Sequence, residues 1–193
     1  PYGSFLAAAQ RAKYDVDVLR SRFNVSFEHA ANRLVTLQRP SAPAISFFLM
    51  EIDNAGNRFR LSGATGFPRA RVGGLCPRLN IHAAFSQPGQ LMAEAAEVLD
   101  GDTILTIART IEGPKTAFGE RVRRTAILLA CDITQCAETI YGDVARVTSG
   151  TVGIGVSCRL CERSGCLSRA QAPVTRPLGL DEMVTGLSVF DFQ

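Results

Sequence analysis

No stretch of this 193-residue chain is apolar over membrane-spanning length, and its start carries no signal-peptide pattern. There are only two histidines, His29 and His82, and neither has an obvious carboxylate or nucleophile nearby. Phe27-Glu28-His29-Ala30-Ala31 is not the His-Glu-x-x-His pair of a zinc peptidase, and no Walker loop is present. Gly153-Ile154-Gly155 lacks the rest of a dinucleotide-binding fingerprint. These absences give little reason to expect an enzyme. Internal repeats and low-complexity segments are also missing. Because the first residue is Pro1, the chain is expected to be a piece of a longer protein, with any catalytic or DNA-binding portion upstream.

Lysine is scarce as well. Of the 21 basic residues, 19 are arginines, against 18 acidic ones. Arginine's planar fork suits bidentate pairing with phosphates and carboxylates, although biased genomic base composition produces the same substitution. The arginines gather in nests: Arg58/Arg60, Arg69/Arg71/Arg78, Arg121/Arg123/Arg124 and Arg159/Arg163/Arg169. A net charge of only +3 with local nests fits a phosphorylated small ligand better than a duplex.

With 46% hydrophobic and 20% charged residues, the chain can bury a core and fits one domain with a short appendage. Such a domain does not need disulfide staples, and six cysteines without a secretory signal point to a reducing cytoplasm. Three of them lie within nine residues, as Cys158-x2-Cys161-x4-Cys166. A Cys-x2-Cys loop turns both sulfurs to one side, which suits zinc or an iron–sulfur cluster. Disulfide or purely structural roles are the alternative. Spacing leaves the fourth ligand open among Cys131, Cys136, Cys76, solvent and a partner.

Residues 4–37 show helical periodicity, with Ser26 as an N-cap before Phe27, Ala30, Leu34 and Leu37. The segment 19–37 resembles a helix-turn-helix only superficially, being poor in positive charge, and packing helices are the better reading. Beyond Pro40 and Pro43 the pattern changes to strands. Ile45–Ile52 and Arg58–Leu61 form a hairpin with Phe59 and Leu61 facing inward. A short helix follows Pro77. Leu91–Leu99 is a strand rather than a helix, because Asp100-Gly101 marks a hairpin turn into Thr103–Ile111. Val122–Cys131 is a central strand, Thr134–Tyr141 a helix, and 152–156 a short strand delivering the cysteines. The fold class is therefore α+β, with N-terminal helices before an antiparallel sheet.

Several long strings carry a family resemblance. They are residues 23–28, Leu37-Gln38-Arg39-Pro40, Asp53-Asn54-Ala55-Gly56-Asn57, Cys76-Pro77-Arg78-Leu79-Asn80-Ile81-His82-Ala83-Ala84-Phe85, and Ile154-Gly155-Val156-Ser157-Cys158-Arg159-Leu160-Cys161. They resemble the short-chain fatty acyl-CoA regulators of bacteria, transcription factors of propionate and acetate metabolism. The resemblance implies that 1–39 is the helical tail of a degenerate ImmA/IrrE-like segment. It implies that 40–193 is an effector domain with a GAF-like sheet and flanking helices. It further implies a cytoplasmic, dimeric sensor that binds coenzyme A or short-chain acyl-CoA such as propionyl-CoA. DNA would be bound through an N-terminal domain outside this chain. Arg58, Arg60, Arg69, Arg71, Arg78 and Tyr141 are the expected ligand residues. A 4Fe-4S cluster is expected on Cys158, Cys161 and Cys166, with Cys131 as the fourth ligand. A zinc-stabilised interaction module without a small ligand is the alternative.

Overall fold

A computed structural model describes residues 1–64, 67, 74–114, 117–143 and 150–175. Three helices open the chain: α1 (Tyr2–Arg11), α2 (Val16–Phe23) and α3 (Phe27–Val35). Each later start is fixed by a side-chain cap. Asp15 accepts from the N–H groups of Asp17 and Val18, and Ser26 accepts from that of His29. Asn24 ends α2 in the left-handed region, so the chain turns sharply into α3.

After a short ribbon, β1 (Gln38–Arg39) and β2 (Ala42–Pro43), come β3 (Phe48–Asp53) and β4 (Arg58–Gly63). The one-turn α4 (Asn80–Ala83) precedes β5 (Met92–Glu97), β6 (Thr103–Glu112), β7 (Arg124–Asp132) and β8 (Thr151–Gly153). Six strands form one sheet in the order β4-β3-β7-β6-β5-β8. All neighbours are antiparallel except β5 and β8, which run parallel. The fold is thus α+β with a mostly antiparallel sheet, and β7 is central as its unbroken apolar run requires.

Alternation along the strands divides the core in two. Leu49, Leu105, Ile107, Ile127, Leu129 and Cys131 meet α1–α3 in one cluster. Phe48, Met50, Ile52, Ala108, Ala126 and Leu128 meet Cys76, Leu79, Ile81 and Ile154 on the other face. Each fully buried Leu or Ile contributes about 1.5–3 kcal/mol, so the central strands dominate stability. Ion pairs stitch the helices to the sheet. Arg60 of β4 bonds Glu28 of α3 and Glu51 of β3, and Arg109 of β6 reaches Asp17 of α2.

Two local expectations need correction. Phe59 and Leu61 stay 52% and 38% exposed: Leu61 pairs with Met50 of the second cluster, but β4 is the edge strand among the described residues. The Arg123 guanidinium covers the Phe59 ring instead. Residues 133–138 form a 3-10 turn rather than the expected α-helix, since Asp132 caps Thr134 and the chain leaves after Glu138.

Candidate functional site

β5 and the parallel β8 carry the cysteine loop. From β8 the chain passes Ile154 and Gly155 into a 3-10 turn, Cys158–Leu160, with Cys158 and Cys161 buried and Cys166 half-buried. Cys76, just before α4, comes to the same place from a distant part of the sequence. Burial raises its thiol pKa, and charge on Cys158 or Cys161 would raise it further. Backbone N–H groups of Gly155 and Arg78 lie against its sulfur and favour the thiolate. The Ala170 N–H donates to the Cys158 sulfur at 3.4 Å.

Neither flanking glycine can be replaced without displacement. A Cβ on Gly155 would fall 2.7 Å from the Cys161 sulfur, and one on Gly153 would fall 2.6 Å from Nη1 of Arg163. The partial fingerprint Gly153-Ile154-Gly155 therefore makes room for the loop. Nothing in the pattern alone separates that role from a failed dinucleotide motif.

Two arginines hold the loop. Arg163 donates to the carbonyls of Ile154, Glu97 and Val98, and to the Glu97 carboxylate at 2.9 Å. Arg169 donates to the carbonyls of Cys158, Cys161 and Arg163. An open groove of about 430 Å³ runs beside the loop, lined by Arg78, Leu99, Arg163 and Cys166 among others. Arg78 is exposed, and its charge opposes the upward pKa shift that burial imposes on Glu94 of β5. Asn80 is buried on α4 and donates to the Thr106 carbonyl, while its own side-chain carbonyl oxygen has no hydrogen-bond partner among the described residues.

The remaining expected site residues go elsewhere. Cys131 lies across the sheet from Cys76, in the helix-side core beside Cys136, where burial pushes its thiol up to about 12. The middle of a sheet therefore separates it from Cys76, which corrects its expected place in the cluster. Tyr141 is also on the helix side, with its hydroxyl accepting the Val16 N–H at 2.9 Å, and not at the groove. Arg60 is occupied by two carboxylates. Arg58 is half-buried on the edge strand, away from the groove lining. Arg69 and Arg71 lie outside the described residues. Among the described residues, Arg78 is the expected phosphate-binding arginine that borders the groove.

Among the described residues, no three His, Cys, Asp or Glu side chains are closed around one metal position. The donor chemistry still fits a soft metal: Cys76, Cys158 and Cys161 share one buried neighbourhood, two of them with backbone N–H groups at sulfur. Cys76 is the sulfur that spacing could not single out, because it is 82 residues from Cys158 and joins it only through the fold.

Residues 36–190 match the model of the short-chain fatty acyl coenzyme A regulator C-terminal family. The chain is 37% identical over 99% of its length to the propionyl-CoA carboxylase regulator of Cereibacter sphaeroides. It is 36% identical over 94% to the HTH-type transcriptional regulator RamB of Mycobacterium tuberculosis, and 35% over 94% to PrpR of the same species. It spans 41%, 39% and 38% of those proteins, about two fifths of each. A solved structure of a Mycobacterium tuberculosis transcriptional regulator superimposes with a TM-score of 0.89 at 33% identity, covering 97% of this chain and 57% of that one.

Proposed function

Because the chain belongs to the short-chain fatty acyl coenzyme A regulators, we propose that it is the ligand-sensing part of a cytoplasmic transcriptional regulator that binds a short-chain acyl-CoA. The observation that carries this reading is the groove at Arg78, which lies beside the shared neighbourhood of Cys76, Cys158 and Cys161. CoA is a strongly anionic ligand, and a charged hydrogen bond from an exposed guanidinium to one of its phosphates contributes about 1.5–3 kcal/mol. Leu99 supplies apolar wall in the same groove. Arg60 and Tyr141 have no part in it, since Nη2 of Arg60 pairs with two carboxylates and the Tyr141 hydroxyl accepts the Val16 N–H, both away from the groove lining.

The metal reading takes Cys76, Cys158, Cys161 and Cys166 as the four thiol ligands, with Cys76 in place of Cys131. An iron–sulfur cluster bound there supplies redox sensitivity. The chain's own contribution is to bring a thiol before α4 and a loop after β8 to one point, so the site ties two distant segments together. Binding proceeds without turnover. A ligand that prefers one arrangement of this domain shifts the DNA-binding part through a dimer, in proportion to its differential affinity for the two arrangements.

Native mass spectrometry of anaerobically purified protein tests both halves, with propionyl-CoA as the added probe. The expected result is an iron–sulfur mass, and propionyl-CoA uptake that falls at least tenfold in Arg78→Ala, equivalent to about 1.4 kcal/mol. Zinc alone without CoA uptake would replace this reading with a zinc-stabilised interaction module.

A further inference from the structure

We propose that Arg169, tied through Arg163 to Glu97, is the positioning residue that sets the separation of the Cys158 and Cys161 sulfurs for a metal. This rests on the thiol-site reading above and goes beyond it. The two cysteines bound one 3-10 turn, whose own backbone bond runs from the Cys161 N–H to the Cys158 carbonyl at 3.4 Å. Here one guanidinium nitrogen, Nη1 of Arg169, donates to both cysteine carbonyls: 3.1 Å to that of Cys158 and 3.2 Å to that of Cys161. Its Nη2 donates to the Arg163 carbonyl, so three loop carbonyls converge on one planar fork. A fork of fixed geometry holds those carbonyls, and the side chains beside them, at a set spacing; an ammonium on a flexible stem does so less firmly.

Arg169 is itself held in the fold. The backbone it grips at residue 163 belongs to the arginine that binds the end of β5, through Glu97 and Val98, and the carbonyl of Ile154. The connection runs from sheet to Arg163, to Arg169, to both cysteine carbonyls. Gly153 leaves the space that the Arg163 guanidinium fills, and Gly155 leaves the space for the Cys161 sulfur. Outer partners of this kind commonly alter metal affinity by about 10–100-fold when removed.

Cobalt(II) titration of the reduced protein against a competing chelator is the test, since cobalt thiolates report both affinity and geometry by their absorption. Arg169→Gln is expected to weaken cobalt binding by about tenfold or more and to change the thiolate-to-cobalt absorption, with Arg169→Lys in between. Wild-type affinity and spectrum in Arg169→Gln would overturn the proposal. Glu97→Gln removes only the partly exposed carboxylate on Arg163, so it reports even if the Arg169 variants do not fold. It is expected to weaken cobalt severalfold, and no change there would overturn the link to β5. Failure of the unaltered protein to bind cobalt would overturn the thiol site itself, a result distinct from either of these.

Discussion

At the residue scale, burial and a hydrogen-bond partner decide what a side chain is free to do. Tyr141 was a reasonable ligand residue by its chemistry, yet its hydroxyl sits in the helix-side core and accepts the Val16 N–H that opens α2. Tyr141→Phe is therefore expected to cost about 1 kcal/mol in urea unfolding while leaving propionyl-CoA affinity unchanged. The cysteines separate in the same way. Cys76→Ser is expected to abolish stoichiometric metal in the purified protein. Cys131→Ala is expected to retain it, with a lower melting temperature from the lost packing. Metal analysis of the two variants side by side checks both, and equal losses would return Cys131 to the site.

Among the elements, α2 and α3 depend on their contacts with β6 and β3 as much as on their own caps. Asp17 of α2 shows how. Burial alone would raise its carboxyl pKa, but Arg20 and Arg109 outweigh that and hold it below the usual carboxylate value. A lowered folded pKa means stability that is present above the unfolded value near 3.8 and lost as pH falls through the folded one. Asp17→Asn should therefore be less stable than the unaltered protein at neutral pH, by about 1 kcal/mol or less because the pair is partly exposed. The difference should close in strong acid, and denaturant midpoints measured from pH 7 downward would show it. A constant difference across that range would mean the contribution is packing rather than charge.

For the molecule as a whole, α1–α3 cover one face of the sheet within a single apolar cluster. Deleting residues 1–35 should expose Leu105, Ile107, Ile127 and Leu129 to water, giving protein that aggregates or binds hydrophobic dyes. A monodisperse, cooperatively folding product would contradict this. The strand pattern was legible in sequence because β-branched runs, Asp100-Gly101 and the apolar 126–131 segment act locally, and Ser26 announced its cap by type and position. The cysteine loop was visible too, since Cys158, Cys161 and Cys166 are neighbours in the chain. Phe59 and Leu61 were misread because alternation shows that a strand has two faces, not whether a neighbour covers either one. Sequence by itself thus determined the α+β class, the family and the thiol-rich loop, all of which depend on short-range order or long matching strings. Only the tertiary structure decided that Cys76 rather than Cys131 faces that loop, that Arg78 borders the groove while Arg58 and Arg60 do not, and that Arg163 and Arg169 brace it. Those facts depend on which side of a sheet a residue faces and on segments up to 82 residues apart meeting, which no local pattern encodes.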